Sequence, residues 1–105
     1  MGYEVIDYPR YIEKFDDYEK IHTDYYRNLE KTDVFFLMNE DKNNISGYIG
    51  PSAFAELMYT IIQKLIYNKD IDIYILKMPS RELNCYTEVK MWLDKGIIKI
   101  WNKYN

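Results

Sequence analysis

Apolar and polar positions change their period several times along the chain, and each change marks an element. Tyr3 to Asp7 alternates in the manner of a short strand that Pro9 ends. From Arg10 to Lys31 the apolar residues Tyr11, Phe15, Tyr18, Tyr25 and Leu29 recur at helical spacing with charged residues between them, which predicts an amphipathic helix with a weak point near Thr23. Val34 to Met38 is apolar without interruption, the pattern of a parallel strand covered on both faces. Asn39 to Ile49 is rich in turn formers, and Gly50-Pro51-Ser52 opens the next helix, with Pro51 in the first turn and Ser52 or Gly50 as cap. That helix, ending near Asn68, carries the clearest stripe: Phe54, Leu57, Met58, Ile61, Ile62, Leu65 and Ile66, all expected in the core. A strand over Ile71 to Leu76, a helix over Tyr86 to Lys95 stopped by Gly96, and a strand over Ile97 to Trp101 complete the pattern. The order β-α-β-α-β-α-β predicts an α/β fold with a small, mainly parallel sheet, helices on both faces and right-handed crossovers.

Composition narrows the class. The chain has 105 residues, 48% of them hydrophobic and 30% charged, which suits one folded domain. No apolar run reaches the roughly 18 residues of a membrane span, and the N-terminus lacks a basic region followed by an apolar segment, so neither a membrane partner nor a signal peptide is expected. Cys85 is the lone cysteine, which leaves no intrachain disulfide and makes a reducing cytoplasm the expected location. A net charge of −3 without a basic cluster argues against duplex nucleic acid as a partner. The 12 tyrosines fit two roles, stacking on bases or packing half-buried with a wet edge. His22 has no second histidine near it, and no metal or cofactor is expected.

The chemistry concentrates between Asp33 and Leu57. A strand that feeds a glycine-containing loop and then a helix is where α/β proteins bind small anionic or sugar-bearing ligands, because loop and helix start present unpaired N–H groups. Within this stretch Asp33, Asn39, Asp41, Lys42, Tyr48, Ile49, Gly50, Phe54 and Glu56 follow a particular succession: an acidic step before an apolar strand, an Asn, an Asp-Lys loop, a Tyr-Ile-Gly turn and a helix opening on Phe-x-Glu. The chain here resembles the small members of the nucleoside 2-deoxyribosyltransferase-like family, and the likeness continues through the later strand-Pro-Ser step and the Gly-Ile-Ile-Lys-Ile-Trp ending. A looser likeness ties Ile49 to Leu57 to the turn of viral ring nucleases, where Pro51 stands in place of a catalytic histidine.

The family resemblance implies a three-layer α-β-α, flavodoxin- or Rossmann-like domain over residues 1–105. The family's first β-α unit is expected to be missing, since the start of the chain resembles the segment that follows it. The resemblance further implies a covalent mechanism in which Glu56 attacks the anomeric carbon of a deoxyribose and expels the base. Glu56 is expected in the first turn of its helix, where the dipole stabilises a carboxylate. Asp41 and Asp33 are the candidates for a second acid, with Asp41 better placed because the loop lies at the carboxyl end of the strand. Asn39, Gly47, Tyr48, Gly50, Ser52, Ser80 and Arg81 are the candidate ligand contacts, Arg81 for a phosphate. Two positions depart from the family pattern: Met58 where glycine is usual, and Ala53 where threonine is. The expected partners are a nucleoside or nucleotide and further copies of the chain, because an absent β-α unit leaves sheet to be covered. Without the resemblance, Glu56 reads as a surface residue near a helix start, Asn39 to Asn44 as a polar turn, and Ser80 and Arg81 as solvated loop residues. A pocket kept without turnover is the alternative to catalysis.

Overall fold

A computed structural model describes residues 18–101. The expected strand Tyr3–Asp7 and the Arg10 to Asp17 part of the first helix lie outside the described residues. The chain divides into two compact units, Met1–Thr32 and Asp33–Asn105.

In the first unit, α1 spans Tyr18–Glu30 and runs through Thr23 without a break. Its end is closed by tight turns. The amides of Lys31 and Thr32 donate to Asn28 O and Leu29 O, and the Thr32 hydroxyl donates to Asn28 O at 2.9 Å.

The second unit is an α/β layer. Its elements are β1 (Val34–Leu37), α2 (Pro51–Leu65), β2 (Asp72–Ile75), α3 (Tyr86–Asp94) and β3 (Lys99–Ile100), and the three strands form a parallel sheet in the order β1-β2-β3. Phe35 pairs with Ile73, Leu37 with Ile75, and Ile75 with Ile100. Right-handed crossovers between strands added in one direction put both connecting helices on one face. Phe54 of α2 and Trp92 of α3 accordingly stack, with ring centroids 5.8 Å apart. Phe35, Ile73 and Ile75 of the strands and Leu57, Ile61, Val89 and Trp92 of the two helices are buried and make up much of the core. The alternate side chains of the same strands point the other way, where Trp101 meets both Phe36 and Tyr74 edge-on at 5.4 Å. Helices on both faces were the expectation; within this unit both crossover helices share one face.

The predicted boundaries hold to within a few residues, and local chemistry explains the differences. α2 begins at Pro51 with Gly50 as its cap in extended backbone, while Ser52 lies one residue inside the helix and forms no cap. The helix ends at Leu65, and Asn68 adopts the left-handed conformation that turns the chain toward β2. Gly96, at φ +73°, does the same after α3. The stripe on α2 is wider than the core needs: Leu57 and Ile61 are buried, whereas Met58, Leu65 and Ile66 are exposed.

Candidate functional site

The loop between β1 and α2 is pinned from within. Asn39, almost completely buried, donates from Nδ2 to Lys77 O (2.7 Å) and Gly47 O (3.2 Å), and its Oδ1 accepts from the amides of Leu76 (2.8 Å) and Lys77 (3.2 Å). Those four bonds use both amide hydrogens and both lone pairs of the side chain. Asn39 therefore stitches the loop to the end of β2, with no hydrogen-bonding capacity left for a ligand.

Lys42 to Ile45 closes a two-residue hairpin through reciprocal backbone bonds of 3.1 and 2.9 Å. Asn43 and Asn44 occupy its centre with φ +53° and +62°, the signs that a type I′ turn requires and that Asn tolerates best after Gly. Gly47 follows at φ +61°, and a Cβ there would lie 2.5 Å from Met78 O and 2.9 Å from the Pro79 Cα. Only glycine lets the loop approach the segment after β2 this closely. The amide of Ser80 completes the junction by donating to Ser46 O at 2.8 Å.

Asp41 sits on the outside of this knot. Its Oδ1 accepts from Lys77 Nζ at 2.7 Å and from the Gly47 amide at 3.0 Å. The Lys77 ammonium, followed by the Gly47 N–H, holds its pKa below the ordinary aspartate value. Asp41 is thus an anion at neutral pH, suited to holding the loop rather than giving up a proton. Asp33 lies at the start of β1, separated from Asn39 by about 20 Å of extended chain. Its carbonyl accepts from the Asp72 amide, so its place is at the opposite end of the sheet from the loop.

Glu56 is the sixth residue of α2 and half-buried, and its carbonyl accepts from the Thr60 hydroxyl at 2.9 Å. The first turn of α2 holds no acidic residue, which corrects the expected position of Glu56 by one turn. Dipole stabilisation fades beyond the first turn, so the helix start contributes less to the carboxylate than expected. Met58 is two residues on, a spacing that turns side chains away from each other, and it does not share a side with Glu56.

The remaining candidates frame the same edge. Tyr48 is half-buried beneath Lys42 Nζ, which lies 5.5 Å from its ring centroid, and Gly50 packs against that ring. Ser52 is exposed. The Ser80 Oγ accepts from the Glu82 amide at 3.2 Å, and the Arg81 guanidinium lies 5.9 Å from the Tyr86 ring. Asn39, Asp41, Gly47, Tyr48, Gly50, Ser52, Ser80 and Arg81 therefore all belong to the loops and helix start at the carboxyl edge of the sheet. Asp33 does not. Sequence reasoning missed Lys77, although a basic residue directly after a parallel strand, at the end where Asp41 lies, was the available signal. No helix among the described residues is long and apolar enough to cross a membrane, and no group of three or more potential metal ligands occurs among them. Compared with known proteins, the chain matches no family model, no curated protein and no solved structure.

Proposed function

We propose that the chain cleaves the N-glycosidic bond of a nucleoside or nucleotide, or transfers its 2-deoxyribosyl group, with Glu56 as nucleophile. The observation that carries this reading is the succession of β1, a pinned glycine loop and a Gly50-capped helix start at the carboxyl edge of a parallel sheet, with Glu56 in the next turn of that helix. That edge is where open α/β sheets bind ligands. The consecutive order β1-β2-β3 also supports a flavodoxin- or Rossmann-like three-layer fold, since it equals the 3-4-5 half of the flavodoxin-like order 2-1-3-4-5. A cytoplasmic location belongs to the same reading.

In the proposed step a Glu56 carboxylate oxygen forms a bond to C1′ as the C1′–N bond breaks. The electron pair leaves with the base nitrogen, which takes a proton from water. A second base or a water molecule then attacks C1′ of the glycosyl ester and regenerates the carboxylate. Asp41, anionic in its pair with Lys77, serves by fixing the loop.

Incubation with 2′-deoxynucleosides and their 5′-monophosphates, with and without a second base, tests the proposal by chromatography of the free base. Base release or exchange is expected, reduced by about a thousandfold or more in Glu56→Ala; unchanged turnover in that variant sinks the reading. A second reading, a module that binds a nucleotide-derived molecule without turnover, is favoured by the placement of Glu56 beyond the first turn. It predicts ligand-dependent thermal stabilisation with no free base.

A further inference from the structure

We draw no further inference here: the strongest candidate, the buried Lys69 ammonium in the turn between α2 and β2, which has no hydrogen-bond partner among the described residues, carries nothing, because the C-terminal end of α2 just before it favours a cation without any ligand and nothing among the described residues identifies one.

Discussion

Two glycines of the loop look alike in the sequence and differ in what they do. Gly47 has a left-handed φ and backbone atoms of Met78 and Pro79 where a side chain would go, whereas Gly50 has extended backbone and only ordinary contact with the Tyr48 ring. Gly47→Ala is expected to cost about 3 kcal/mol, from positive-φ strain plus displacement of a packed backbone. Gly50→Ser should be neutral or slightly stabilising, since serine is a good helix cap in the same conformation. Urea unfolding of the two variants checks the contrast, and equal losses would refute it. Asn39 offers a sharper test. Asn39→Asp keeps the acceptor for the Leu76 and Lys77 amides but turns the donor into a second oxygen facing Gly47 O and Lys77 O. Burial against two carbonyls raises the pKa of the new carboxyl above its unfolded value, so the folded state favours the protonated form. Stability lost at neutral pH, about 2 to 4 kcal/mol, should therefore return as pH falls through the raised value. A pH-independent deficit would show that the Asn39 bonds do not hold the loop.

At the scale of elements, the opposite sign applies to Asp41. Its pKa is lowered in the folded chain by Lys77 and the Gly47 amide, so its contribution is present above the unfolded value and disappears as pH falls through the lower, folded one. The pair is exposed, and its effect should be small and weakened by salt. Unfolding midpoints of the wild type and Asp41→Asn should thus differ slightly at neutral pH and converge at acid pH; a gap that persists at low pH would contradict the pairing. These bonds also show what the sequence could reveal. Period changes located β1, α2, β2 and α3, because continuous apolar runs and helical stripes are local signals. The knot between Asn39, Gly47 and the segment after β2 is not local. Asn39 and Lys77 come together only through strand register, so a polar turn and a clamped loop read alike in one dimension. For the same reason the stripe of α2 read as core throughout, although only Leu57 and Ile61 of its residues are buried and Met58, Leu65 and Ile66 are exposed.

At the scale of the molecule, the two proposed readings, turnover and capture, ask different things of the pinned glycine loop and the half-buried Glu56. The loop is held by the chain's own contacts: Asn39 has spent its hydrogen-bonding capacity, Gly47 is wedged against Met78, and Ser46 and Ser80 are joined. Preorganisation of that kind lowers the entropic cost of binding and serves both readings equally. They part at the covalent step. A nucleophilic Glu56 whose ester is hydrolysed slowly must accumulate a glycosylated chain, while a pure binder never gains covalent mass. Rapid acid quenching of the protein with a 2′-deoxynucleoside, followed by intact-mass spectrometry, is therefore expected to show the mass of one added deoxyribosyl group, absent from Glu56→Ala. A ligand at about a hundred times its dissociation constant should stabilise a non-catalytic chain by about 2.7 kcal/mol with no added mass. That stabilisation surviving in Glu56→Ala would assign the carboxylate to neither chemistry nor binding, and leave the pinned loop as the part of the chain that recognises the ligand.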